Sequence, residues 1–186
     1  MLKHLPNVLS GYRLVAFPYL IYLVYSRQEA LFSVLIVVNL LTDILDGWIA
    51  RRFNLQTEWG AQLDSLADYG TYVAAFYGLH AFKQDELGDW MNLVWTFVAF
   101  ISAFLVLSFV KFKRSPSLHL YSTKIGGYLQ GFLFIWLFTW GFWAPYFVFA
   151  LGWGIASFTE GMAVLLLLPE MRSNQRGLYW VLRQRG

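Results

Sequence analysis

Six stretches of this chain, near residues 8–26, 31–50, 61–82, 90–110, 121–141 and 145–168, are each close to the length of one bilayer crossing, about 20 mainly apolar residues. Hydrocarbon offers the backbone no hydrogen-bond partners, so only helices and closed barrels cross it. The runs are too long for barrel strands and show no sustained period of two. The expectation is an all-α integral membrane protein with six transmembrane helices. A short N-terminal interfacial segment (residues 1–6) and a polar tail from Glu170 flank them, in a single domain over residues 1–186. Only 13% of the residues are charged and 58% are hydrophobic. A soluble domain carries about 25% charged residues, and one of this length could not hide so much apolar surface. The first run reads as a retained anchor: Arg13 and Pro18 interrupt it, and no small-x-small cleavage site follows near Ser26. There is no cysteine, which excludes disulfides and thiolate metal sites. No basic domain points to nucleic acid.

Charge placement orients the helices. With the N-terminus in the cytoplasm, every one of the 14 Lys and Arg residues except Arg27 and Lys83 lies on or near that side. Asp85, Glu86 and Asp89 then fall in an outer loop. Trp90, Trp140 and Trp143 mark the outer interface and Trp59 the inner one. Both termini are expected in the cytoplasm, in a bacterial-type inner membrane.

Against this background four carboxylates stand out. Asp43 and Asp46 lie in the second run, Asp64 and Asp68 in the third, and a charged side chain inside a membrane needs a partner or a task. At 100° per residue, Asp43, Asp46, Gly47 and Ala50 fall within an arc of roughly 100° on one helical face. Gly60, Asp64 and Asp68 advance by fours and form a stripe on the next helix. The turn 51–59 is short, so the two helices are antiparallel neighbours and the four carboxylates converge near the cytoplasmic end. Such a cluster repels itself unless cations neutralise it. An all-oxygen ligand set favours Mg²⁺ or Mn²⁺, and two ions bridged by shared carboxylates would clamp a diphosphate. Gly47, Ala50 and Gly60 leave room for a flat base and its ribose, and Arg51 can reach phosphate oxygens. A plainer alternative is a small cation transporter with the aspartates as its ion site, and small residues spaced by four also serve helix packing. Arg51 and the glycine spacing have no task in a transporter.

The segment TDILDGWIARRFNLQTEWGAQLDSLADY resembles the signature of the CDP-alcohol phosphotransferase family at every signature position. The N-terminal LPNVLSGYRLVAFP is similar to the start of bacterial phosphatidyltransferases of that family. The resemblance implies displacement of CMP from a CDP-activated lipid, most simply CDP-diacylglycerol, by an alcohol acceptor, as in phospholipid biosynthesis. It implies that Asp43, Asp46 and Asp64 are metal ligands. Asp68 would assist the metals and act as general base on the acceptor hydroxyl. Gly47, Ala50, Arg51 and Gly60 would line the CDP pocket, and the protein would be a homodimer.

The acceptor is less constrained. Arg13, Lys111, Lys113, Arg114 and Lys124 are candidate acceptor-binding residues for a phosphorylated alcohol such as glycerol 3-phosphate or an inositol phosphate. The same charges also suit contact with anionic membrane lipids. Glycerophosphate-transferring members commonly carry proline after the third aspartate and lysine after the fourth, where this chain has Ser65 and Tyr69. The LDSLAD form resembles serine-transferring members. Glu160, in the sixth run, is a fifth intramembrane acid, expected either to pair with a basic or polar side chain or to border the acceptor pocket.

Overall fold

A computed structural model of the chain describes residues 5–53, 55, 57–114, 116, 118, 120–170 and 175–183, without the side chains of Arg51, Glu58, Ala61 and Ser65. Six long helices follow one another: α1 (Leu5–Tyr25), α2 (Glu29–Arg52), α3 (Glu58–Leu87), α4 (Met91–Phe112), α5 (Tyr121–Thr139) and α6 (Ala144–Leu167). A short α7 (Leu178–Arg183) ends the described chain, and no strand occurs among the described residues. Among the described residues, four stretches are long and apolar enough to cross a membrane: Leu5–Tyr25, Glu29–Ala50, Gln62–Phe112 and Ala144–Leu167. The third of these contains most of α3 and all of α4. Large apolar side chains such as Val15, Val34, Val106 and Phe109 are exposed, a surface suited to hydrocarbon rather than water. Trp59, Trp90, Trp140 and Trp143 are exposed too, each at a helix end.

The expected runs and the observed helices differ in instructive places. Residues 1–4 of the expected interfacial segment lie outside the described residues, while Leu5 and Pro6 already belong to α1. Proline suits a first helical turn, where its missing N–H has no intrahelical partner anyway. Helix α1 also continues through Pro18. Helix α3 runs five residues past the expected 82, through a polar end. Lys83 holds that end, with its Nζ 2.9 Å from Glu29 Oε1 and 3.3 Å from Glu86 Oε2.

Two compact units divide the chain. Met1–Gly88 with Phe134–Gly141 forms the first, in which α1, α2 and α3 pack against one another. Its core centres on Phe32, fully buried, whose ring lies 5.4 Å from those of Phe82 and Phe138. Gly78 on α3 makes room for it: a Cβ there would sit 2.1 Å from Phe32 Cζ.

The second unit comprises Asp89–Leu133 and Phe142–Gly186. Here α4 lies against α6, where Gly154 and Gly161 admit the rings of Phe97 and Phe104. The polar tail expected from Glu170 does not simply trail away. Gln175 donates its N–H to the Leu118 carbonyl (2.8 Å), and Val181 of α7 is buried among Leu118, Leu120, Val164 and Leu165.

Overpacking a filled core costs about 1–3 kcal/mol. Gly78→Ala is therefore expected to destabilise the first unit by that amount, read as a lowered thermal midpoint of the detergent-solubilised protein.

Candidate active site

The four aspartates meet inside the first unit, and an arginine from α1 joins them. Arg13 enters between α2 and α3 and is completely buried. Its Nη1 lies 2.6 Å from Asp43 Oδ1 and 2.6 Å from Asp68 Oδ1. Its Nη2 lies 2.6 Å from Asp46 Oδ2 and 2.6 Å from Asp64 Oδ1. Each nitrogen thus holds one carboxylate from α2 and one from α3. Charge-assisted contacts of this length are the strong class of hydrogen bond. Ser10, one turn earlier on α1, adds a hydroxyl 3.2 Å from Asp46 Oδ2.

Helical spacing explains the convergence. Asp43 and Asp46 are three positions apart and Asp64 and Asp68 four, so each pair projects from one face. Ser10 and Arg13 are likewise three apart on α1.

The four carboxylates are not equivalent. The Asp46 side chain is only 3% exposed, while those of Asp43, Asp64 and Asp68 are 39%, 41% and 34% exposed. Oxygens of these last three lie within 4.8 Å of one another, a spacing that one cation can bridge. Four carboxylates less one guanidinium leave a formal charge of −3. Hard oxygen donors, accessible surface and unbalanced negative charge all fit Mg²⁺ or Mn²⁺.

Beside the cluster lies a cavity of about 210 Å³, room for a nucleoside-sized group. Asp46 and Asp64 form its charged wall, and Gly47, Ala50 and Gly60 border it as expected of small residues at those positions. The side chain of Arg51 lies outside the described residues. Asn7, Ser10 and Thr57 line the same cavity and had no assigned role in the sequence. Thr57 caps α3, its Oγ1 accepting from the Gly60 N–H at 3.0 Å. Gly60 has no space to spare, since a Cβ there would lie 2.6 Å from Asn7 Oδ1 and 2.9 Å from Thr57 Oγ1.

The basic residues expected at an acceptor site take separate tasks. Arg13 lies on the four carboxylates, where its buried charge is compensated. The remaining four belong to the second unit. Lys111 donates from Nζ to the carbonyls of Leu165 and Leu166, both at 2.8 Å, and so caps the end of α6. Lys113 ends α4 in a left-handed conformation (φ 55°), and the Arg114 carbonyl accepts from Ser108 Oγ at 3.0 Å. Lys124 lines a separate cavity of about 220 Å³ with Thr123, Phe104 and Phe158. Glu160 follows the first of its two expectations: it accepts from the Ser122 hydroxyl, and from the Leu178 N–H at 2.8 Å.

With this geometry in view, the comparison with known families is informative. A family model described as CDP-alcohol phosphatidyltransferase matches residues 3–166. The chain belongs to this family. Among curated CDP-alcohol phosphatidyltransferases, a CDP-diacylglycerol–glycerol-3-phosphate 3-phosphatidyltransferase of Rickettsia typhi is 40% identical over 70 residues, 36% of this chain and 39% of that protein. The CDP-diacylglycerol–inositol 3-phosphatidyltransferase 1 of Arabidopsis thaliana is 30% identical over 107 residues, 52% of this chain and 47% of that protein. An uncharacterized protein of Aquifex aeolicus is 32% identical over 125 residues, 67% of this chain and 61% of that protein. The chain thus spans about two fifths to three fifths of the length of these relatives. No solved structure matches it.

Loss of a threonine N-cap costs about 1 kcal/mol. Thr57→Ala is expected to lower stability by that amount and to speed amide exchange in the first turn of α3, measured by hydrogen–deuterium exchange.

Proposed function

We propose that this protein is a metal-dependent CDP-alcohol phosphatidyltransferase that transfers a phosphatidyl group from CDP-diacylglycerol to an alcohol acceptor and releases CMP. The observation that supports it best is the meeting of Asp43, Asp46, Asp64 and Asp68 on Arg13, with Asp46 and Asp64 also lining a nucleoside-sized cavity bordered by Gly47, Ala50 and Gly60. A site for a bare cation would need no such cavity, and this favours the enzyme over a cation transporter.

In this reading Asp43, Asp46 and Asp64, with help from Asp68, would hold two Mg²⁺ or Mn²⁺ ions. When bound, such ions would neutralise the diphosphate and make CMP a better leaving group. Gly47, Ala50 and Gly60 let the cytidine approach the backbone, and Arg51 serves the phosphates. Asp68 accepts the proton of the acceptor hydroxyl. The acceptor oxygen then bonds to the phosphorus carrying the lipid, the bond from that phosphorus to the CMP oxygen breaks, and the electron pair leaves with CMP.

Helices α1 to α6 serve as six crossings of a bacterial-type inner membrane, with both termini and the site on the cytoplasmic side, in a homodimer. The distribution of Lys and Arg supports this orientation. The acceptor is a polyol or its phosphate, as the names of the glycerol-3-phosphate and inositol relatives suggest.

Purified protein incubated with CDP-diacylglycerol, Mg²⁺ or Mn²⁺ and a panel of glycerol 3-phosphate, inositol, inositol phosphate and serine should release CMP with one of them. Absence of metal-dependent release with every acceptor would sink the reading. Asp68→Asn should lower kcat by about 10²-fold or more while metal-dependent CMP binding persists; wild-type turnover would remove Asp68 from the chemistry. Gly60→Val, which intrudes on Asn7 and Thr57, should raise the KM for the CDP donor more than it lowers kcat.

A further inference from the structure

Arg13 lies outside the aspartate signature and yet occupies its centre. Its two Nη atoms each join α2 to α3 through a pair of carboxylates, so one side chain contacts all four acids. Its Nε is buried and has no hydrogen-bond partner among the described residues. That position suits the charge of the guanidinium better than its hydrogen bonding, since a buried donor without an acceptor is unfavourable. The oxygens it contacts on Asp43, Asp64 and Asp68 belong to the carboxylates spaced to share a cation.

We propose that Arg13 is the resident counter-cation of the aspartate site: a positioning residue that keeps the four carboxylates converged and competes with divalent cations for them. The competition rests on the metal-dependent reading above; the counter-cation role rests on the ion pairs alone. Like charges repel, so a guanidinium and a divalent cation in contact with the same carboxylates weaken each other's binding. Arg13 keeps the site assembled without metal, and it yields some of these oxygens when other positive charge arrives. The unpartnered Nε favours that withdrawal.

The test uses the full-length protein in nanodiscs, stripped with EDTA, as wild type, Arg13→Gln, Arg13→Lys, and Arg13→Gln combined with Asp46→Asn. Thermal unfolding is followed in EDTA and in Mn²⁺, and Mn²⁺ affinity is read from the electron paramagnetic resonance of the free ion. Arg13→Gln should unfold at a lower temperature than wild type in EDTA, recover most of the loss in Mn²⁺, and bind Mn²⁺ at least tenfold more tightly. The double variant should recover stability in EDTA by removing one repelling charge. Unchanged or weaker Mn²⁺ binding by Arg13→Gln, or a loss of stability that neither Mn²⁺ nor Asp46→Asn relieves, overturns the proposal. Should Arg13→Gln fail to fold, Arg13→Lys carries the comparison: its single charge lacks the fork, so it should lose part of the stability in EDTA and bind Mn²⁺ more tightly, and unchanged binding overturns the idea. A wild type that binds no Mn²⁺ counts against the metal-dependent reading and removes the competition. The counter-cation role is then decided by the EDTA measurements alone, with recovery in the double variant supporting it and no recovery refuting it.

Discussion

The contact of one buried guanidinium with four carboxylates organises the first unit. An arginine on an apolar helix can be buried only where acids meet it, and acids at this depth need cationic partners in return. Satisfying both demands fixes the rotation of α1, α2 and α3 about their own axes. Turning α1 by one residue, about 100°, would carry Arg13 away from the site and replace it with an aliphatic side chain. The same rotation would carry Ser10 from Asp46 and Asn7 from the cavity. The apolar contacts agree with this arrangement, since Phe32 packs into the notch at Gly78 on the α2–α3 side of the unit. Removing one partner of a buried ion pair commonly costs about 3–5 kcal/mol, which makes this a stiff constraint.

The family reading and the convergence of the aspartates were legible because both follow from spacing along the chain. Spacings of three and four within a helix determine which residues share a face, and a short turn brings two such faces together. The long helices were legible for a similar reason, as the apolar runs coincide with them to within a few residues except where polar ends continue. Helix α3 persists past residue 82 because Lys83 bonds Glu29 and Glu86, contacts that hydropathy does not register. Arg13 was harder to place. In the sequence it counts among the acceptor-binding candidates, because intrahelical spacing does not say which face of a third helix meets the other two. Lys111 looked like part of a basic patch, and its actual partners are backbone carbonyls of α6, which carry no sequence signal. Helix α7 was hidden by its length: six residues with a single buried valine give no period to read.

The second unit uses its polar groups differently. Glu160 and Ser122 bond each other, and the second carboxylate oxygen holds the Leu178 N–H at the start of α7. Trp153 donates its indole N–H to the Ser122 carbonyl, and Gln130 donates to the Ala150 carbonyl. These bonds tie α5, α6 and the following chain into one frame, and Glu160 meets its need for donors within it. Among the candidate residues of this unit, Lys124 keeps its place beside a cavity, while Lys111 is committed to a helix end. The polar chemistry is therefore divided, with the carboxylate cluster in one unit and most of the basic side chains in the other.

Order along the chain gives the first unit a history. Every residue of the ion-pair cluster lies within positions 13 to 68, so all are synthesised before α4 begins. Arg13 and the aspartates can neutralise one another as soon as α3 has been made. Phe138, which closes on Phe32, arrives some 70 residues after the last aspartate. The charged centre is thus available for assembly early in synthesis, and its aromatic end is sealed late.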